Sequence, residues 1–281
     1  MIVDARLAAI YAQHVQVSRL TAVFAARVEG IDLRTPQSAA VDGLREMIHR
    51  HGVVVVAGQP LDPESQLALT AELGEVFSTP YTRRAGEEHA GVLPLPNVGK
   101  AQTVTEVWHH DATYLERPPW IAVLTPQVLP PAGGDTMFAD QRAAFRSLSP
   151  GMRALLRPLR AVHWDALGAR AGAQSDDPPR AHPAVIRHPV TREPALYLSK
   201  PYVSHFEDMT ERESAWLRDE LVDHATAPEF VYRHRWSAGD VLFWDQRCCL
   251  HYAVHDHGDA PRVMHRTTVG GPAPEPYDDT A

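Results

Sequence analysis

The run Val53-Val54-Val55-Val56-Ala57 constrains the fold more than any other stretch of the chain. Adjacent β-branched side chains suit a pleated strand better than a helix, and five apolar residues without alternation leave no face for water. A strand buried on both faces needs a covering layer on each side. Ile121 to Val128, Asp240 to Trp244 and Arg262 to Val269 read as further strands, Thr136-Met137-Phe138 starts another, and Leu196 to Leu198 is a short one. Short apolar runs between Ser18 and Leu33, with Gly30, suggest strands and a turn. Val41, Leu44, Met47 and Ile48 recur at helical spacing before a stop at Gly52. Asp62-Pro63 opens a helix through Leu73, Ser149-Pro150 opens another, and Thr210 with Glu213 forms a capping box before a helix reaching about His224. Many short strands and few helices predict a mixed, mainly β fold: a sandwich or jelly roll with helices packed outside.

Three stretches resist that reading. Residues 78–106 are irregular, with prolines, glycines and the pair Arg83-Arg84. Residues 165–183 turn to Ala, Gly, Asp, Pro and Arg without apolar periodicity, which predicts a flexible loop, either a lid or a passive insertion. The last ten residues read as an unfolded tail, and residues 1–17 as a helix or an extended arm. No repeat and no shift in composition marks a boundary, so residues 1–271 are expected to form a single domain and 272–281 a flexible tail. A net charge of -8 argues against nucleic acid or an anionic membrane as partner. No run of about eighteen apolar residues and no secretion signal is present, which predicts neither a membrane span nor export. The two cysteines, Cys248 and Cys249, are neighbours that make no disulfide framework, consistent with a reducing, cytoplasmic setting.

Chemistry concentrates first in Trp108-His109-His110-Asp111. On an extended backbone His109 and Asp111 share a face and His110 points away. One imidazole and one carboxylate, completed by a distant histidine, make the facial triad that holds Fe(II) and leaves positions open. A lone H-x-D is common, so the assignment needs partners. The second half of the chain supplies them in Trp244-Asp245-Gln246-Arg247-Cys248-Cys249-Leu250-His251-Tyr252 and in Arg262-Val263-Met264-His265-Arg266-Thr267.

Taken with Pro118-Pro119 after the first motif and the turn Gly133-Gly134-Asp135-Thr136, these segments resemble the taurine/2,4-D dioxygenase (TauD/TfdA) family of Fe(II)/2-oxoglutarate enzymes. The resemblance runs from about Leu20 to Gly271. It implies a double-stranded β-helix, the cupin-like jelly roll, and a dioxygenase that takes Fe(II), 2-oxoglutarate and O2. Its default reaction is hydroxylation of an unactivated C–H with release of succinate and CO2. By the same resemblance, His109, Asp111 and His251 are the metal ligands and catalytic centre. Arg262 and Thr136 hold the far carboxylate of 2-oxoglutarate. Arg266 either meets an anionic group on a small substrate or pairs with a protein acid. Tyr81, Tyr114, Trp164 and Tyr202 fall at substrate-lining positions, with core packing as their alternative fate. Thr79 and Thr105 stand where taurine enzymes carry His and Asn, which counts against taurine. A homo-oligomer, dimer or tetramer, is common in the family, but no interface is legible here.

Other histidines have blander expectations: His110 structural, His265 in an outer layer, His255 and His257 in solvent. Cys248 and Cys249 read as buried small hydrophobes, and Trp108 and Trp244 as walls of the site. Two rival functions use the same ligands. One is a metal-dependent hydrolase or isomerase on a cupin-like barrel, which gives Arg262 no task; the other is a silent ligand-binding relative, which predicts a damaged triad.

Overall fold

The structure, a computed structural model, describes residues 15–35, 38–78, 91–99, 104–172 and 175–278. Its strands are β1 (Gln16–Arg19), β2 (Ala26–Glu29), β3 (Val53–Val56), β4 (Leu93–Asn97), β5 (Ile121–Val128), β6 (Thr136–Asp140), β7 (Arg160–His163), β8 (Arg180–Pro183), β9 (Val185–Arg187), β10 (Pro194–Leu196), β11 (Val203–Phe206), β12 (Val231–His234), β13 (Val241–Asp245), β14 (Cys249–Ala253) and β15 (Arg262–Val269). Seven of them form one sheet in the order β1-β2-β3-β13-β5-β15-β4, and β12-β6-β14 form a smaller one. Within the large sheet only β2 and β3 pair in parallel, and the helix Ser38–His51 makes the crossover between them.

The valine run sits in this sheet, hydrogen-bonded to β2 and β13, and its four residues are buried. Val54 and Val56, with Phe243 and Ile121, face Leu44, Ile48, Leu69 and Leu73 on the helices Ser38–His51 and Pro63–Leu73. Val53 and Val55 face the other way, onto a core with Trp244, Met264 and Phe138 of β6. One face of the sheet is thus capped by helices and the other by the small sheet, which makes the jelly-roll core. A third cluster, around Phe145, Leu156, Val185, Phe206 and Leu217, joins β7 to β11 with the helices Gln141–Ser147, Pro150–Leu156 and Glu211–Ala225. Helix starts fall where the caps predict. Asp62 accepts from Ser65 N–H, Ser149 from Met152 N–H, and Thr210 with Glu213 closes a reciprocal box.

Four expectations are corrected. Residues 165–183 are not one loop: Asp165 caps a short helix, Ala166–Arg170, and β8 pairs with β7. Residues 275–278 are no free tail either. Arg187 N–H donates to Glu275 O, Tyr277 N–H to Val185 O, and the Tyr277 ring packs under the guanidinium groups of Arg157 and Arg187. These cation–π contacts add to the two backbone hydrogen bonds, and the ring also packs on Phe145. Within 78–106, Leu93–Asn97 is a strand despite Pro94 and Pro96; it is the outermost strand, where a residue without an N–H faces no partner on its free side. The short strand expected at Leu196 to Leu198 lies two residues earlier, at Pro194–Leu196. Among the described residues no helix is long and apolar enough to cross a membrane.

Candidate active site

Between β13 and β14 the chain passes from the large sheet to the small one through Gln246-Arg247-Cys248. That crossing fixes His251 at the mouth of the sandwich. The stretch holding His109 lies beside it: His109 N–H donates to His251 O at 3.0 Å, and His251 N–H to His109 O at 2.9 Å. Alternation then brings the side chains together. Asp111 Oδ1 lies 3.8 Å from His109 Nε2 and 3.8 Å from His251 Nε2, with all three residues buried. His110 turns to the opposite side and bonds Gln246 O through Nδ1.

The electrostatics of this trio suit a cation. The Val107 carbonyl accepts from His109 Nδ1 at 2.7 Å, which places that proton away from the group and leaves Nε2 a lone pair. Burial lowers the pKa of His109, and of His251 further still, so both imidazoles are neutral at pH 7. Burial alone would raise the Asp111 carboxyl. Arg266, the two imidazoles and the Gln246 amide outweigh it and hold the group well below the usual carboxylate range. Arg266 Nη1 lies 2.8 Å from Asp111 Oδ1 and 2.9 Å from Oδ2. Of the two fates open to Arg266 in the sequence, pairing with a protein acid is the one seen here.

A cavity of about 400 Å3 opens on His251, Trp244, Thr136, Arg262 and Arg266. Arg262, Met264 and Arg266 alternate on one face of β15, as their spacing predicts, with Arg262 buried. Arg262 Nε donates to Gly134 O at 2.8 Å and Nη2 reaches Thr136 Oγ1 at 3.3 Å. Gly134 has φ +72, and a Cβ there would stand 3.0 Å from Arg262 Cδ, so the turn needs glycine for the arginine to lie across it. No carboxylate among the described residues bonds Arg262, and burial, offset only in part by Asp135, lowers its pKa to about 10. A buried guanidinium without an acid is a site for an anion.

Other predicted residues land elsewhere. Tyr114 and Tyr202 pack on each other, ring centroids 5.6 Å apart, in a cluster with Ala112 and Leu167, and neither is among the described walls of the cavity. Trp164 borders a separate surface cleft with Arg170 and Lys200. Tyr81 and Thr79 lie outside the described residues. Trp244 packs tilted against His251, ring centroids 5.0 Å apart, whereas Trp108 packs on Tyr252. Cys248 and Cys249 are free and buried, and burial pushes the Cys249 thiol up.

His255 and His257 are not in solvent. Both rings meet the Asn97 amide, at 2.8 Å and 3.3 Å, on the cavity wall, because Asn97 ends the strand paired with Arg262. Sequence reasoning also missed Gln246, whose amide donates to Asp111 Oδ2, and a second buried group of two histidines and an aspartate: His49, His188 and Asp245. That second group is already saturated. Asp245 Oδ2 meets His49 Nδ1 and His188 Nε2 at 2.9 Å each, and Oδ1 accepts from Arg247 Nε at 2.8 Å. The guanidinium of Arg247 is the cation that this group holds.

Residues 16–268 match the family described as "Taurine catabolism dioxygenase TauD, TfdA family". The chain belongs to that family. It is similar to the alpha-ketoglutarate-dependent 2,4-dichlorophenoxyacetate dioxygenase of Cupriavidus pinatubonensis, 33% identical over 273 residues that cover 88% of this chain and 94% of the relative. It is also similar to the alpha-ketoglutarate-dependent sulfate ester dioxygenase of Pseudomonas putida, 32% identical over 90% of this chain and 88% of that one. Among solved structures, a taurine dioxygenase from Burkholderia xenovorans superposes with a TM-score of 0.82 at 33% identity, covering 92% of each chain. The protein is an Fe(II)/2-oxoglutarate-dependent dioxygenase that consumes O2. Its residues fit those groups. Two neutral imidazoles and one ionised carboxylate are a donor set for Fe(II), and Arg262 suits the far carboxylate of a keto diacid.

Proposed function

We propose that this dioxygenase oxidises a small organic anion with an apolar body, at a C–H next to a heteroatom. His109, Asp111 and His251 hold Fe(II). Arg262 and Thr136 grip 2-oxoglutarate, and Arg266 meets the substrate anion. The observation that carries the reading is that His251, Arg262 and Arg266 line one cavity with Leu95, Leu124 and Trp244, while Asp111, bonded to Arg266, stands beside His251. A polar anchor with apolar walls selects an amphipathic anion. The relatives named for an aryloxyacetate and for sulfate esters act on molecules of that kind.

Fe(II), 2-oxoglutarate and O2 supply the oxidising power, with succinate and CO2 released. The chain's own residues do the rest. The Val107 carbonyl fixes the proton of His109 on Nδ1, so the imidazole presents Nε2 inward. The guanidinium of Arg262 orients the cosubstrate by its far carboxylate, since its planar fork matches two carboxylate oxygens. Arg266 is bonded to Asp111, so a substrate anion recruits it by offering a second acceptor, with the guanidinium bridging two carboxylate-like groups. Where the new hydroxyl sits beside oxygen or sulfur, the product collapses and the C–heteroatom bond breaks.

Succinate release followed across aryloxy acids, sulfate esters, sulfonates and carboxylates tests this. Anions with an apolar body are expected to stimulate release, and their uncharged analogues are not. Arg266→Ala should raise KM for the preferred anion by about tenfold or more, or uncouple succinate release from substrate oxidation. Equal stimulation by uncharged analogues, or unchanged coupled kinetics in the variant, rejects the anionic assignment.

A further inference from the structure

The crossing between the two sheets, Asp245-Gln246-Arg247, carries a feature the dioxygenase reaction has not yet used. Its outer members point one way into the buried ion group described above. Asp245 is bonded to His49, His188 and Arg247, its backbone N–H donates to Gly52 O at 2.8 Å, and the Arg247 guanidinium lies 3.8 Å over the Trp120 ring. These contacts reach three separate segments of the chain, around His49–Gly52, Trp120 and His188. They hold Gln246 from both flanks.

Gln246 points the other way, toward the metal-binding trio. Its backbone is pinned as well: its N–H donates to Trp120 O at 2.7 Å, and its carbonyl accepts from His110 Nδ1 at 2.6 Å. Its side chain is spent on one residue. Nε2 donates to Asp111 Oδ2, and Oε1 accepts from Asp111 N–H at 3.3 Å. A primary amide is costly to bury unless both ends are bonded, and here both ends are bonded to the same aspartate. The two carboxylate oxygens of Asp111 thereby differ. Oδ2 is held by the amide, and Oδ1 is the oxygen that lies 3.8 Å from both imidazole nitrogens. Arg266 contacts both oxygens and pulls on the same carboxylate.

We propose that Gln246 is a positioning residue for Asp111, anchored by the Asp245–Arg247 ion group, which holds Oδ2 so that Oδ1 faces His109 and His251 against the pull of Arg266 on both oxygens. The proposal rests on the assignment of the trio as the metal site. Without the amide, Arg266 alone sets the carboxylate's terminal torsion, and Oδ1 is no longer held facing the two imidazoles.

Binding of Mn(II), measured without oxygen or 2-oxoglutarate by the EPR signal of the free ion, tests this apart from turnover. Gln246→Met keeps the length and removes the amide. It should weaken Mn(II) binding by about 10–100-fold, the usual effect of losing a partner that orients a ligand. Adding Arg266→Ala to that variant should restore part of the loss, because it removes the competitor; a merely structural defect would show no such rescue. Should Gln246→Met not fold, Gln246→Asn, which withdraws the amide by one methylene, serves in its place. Wild type that binds Mn(II) beside a folded Gln246 variant with the same Kd overturns the proposal alone, as does a double variant showing no recovery. Wild type that takes up no Mn(II) overturns the metal site and the proposal together.

Discussion

Arg262 is the residue whose surroundings say most about its partner. It is buried, its pKa is driven down to about 10 by desolvation, and among the described residues only a carbonyl and a hydroxyl bond it. A charged hydrogen bond sheltered from water contributes about 1.5–3 kcal/mol. Arg262→Ala should therefore weaken 2-oxoglutarate by at least about tenfold while leaving Fe(II) binding intact, as an anaerobic titration of the cosubstrate would show; an unchanged titration would remove Arg262 from the site. At this scale the sequence was legible where function is packed into short ordered motifs. His109, Asp111, His251, Thr136 and Arg262 all lie in such motifs; the structure brings the first three together, and His251, Thr136 and Arg262 line one cavity. Gln246 escaped notice because its partner Asp111 is 135 residues away and an amide inside a motif looks like filler. Asn97, His255 and His257 escaped for a related reason: their meeting depends on a proline-bearing strand that periodicity argues against. Tyr114 and Tyr202 were drawn toward the substrate by resemblance and instead stack on each other, the commoner fate of an aromatic.

At the scale of elements, the strands that read clearly are those buried on both faces or alternating cleanly. The valine run is the first kind, and the first half of β15, with Arg262 and Met264 buried and Val263 and His265 less so, is the second. The short strands β7, β8 and β11 were not legible, because three or four residues carry too little periodicity to outweigh neighbouring Gly and Pro. Helix ends were legible through their caps. Gly52 illustrates how much one such end carries. It stops the helix Ser38–His51 with φ +72, its carbonyl accepts from Asp245 N–H, and a Cβ there would stand 2.9 Å from Cys249 Sγ and 3.2 Å from Arg142 Nη2. Gly52→Ala should cost about 1–3 kcal/mol for the left-handed backbone alone, with the side-chain clash added. The expected readout is a Tm lower by several degrees; a Tm within a degree of wild type would mean the backbone there relaxes freely.

For the whole molecule, several buried or half-buried histidines outside the metal-binding trio make folding sensitive to acid. Burial, with His182 and His110 nearby, holds His163 well below its ordinary value, and burial also lowers His182 and His188 and brings His51 to about 4. In the unfolded chain these groups titrate near 6.5. As pH falls below that value the unfolded chain takes up protons first, so stability is full above about 6.5 and is lost toward about 4. The midpoint of urea unfolding of the metal-free protein should fall steadily between pH 7 and pH 4.5, and a flat profile would contradict the burial of those rings. The metal-binding trio joins the segment before β5 to strand β14. The most direct measurement of that site is the visible metal-to-ligand charge-transfer band on anaerobic addition of Fe(II) and 2-oxoglutarate. The band is expected in the wild type and absent in folded His251→Ala. No band in folded wild-type protein, or an undiminished band in His251→Ala, would contradict that metal site.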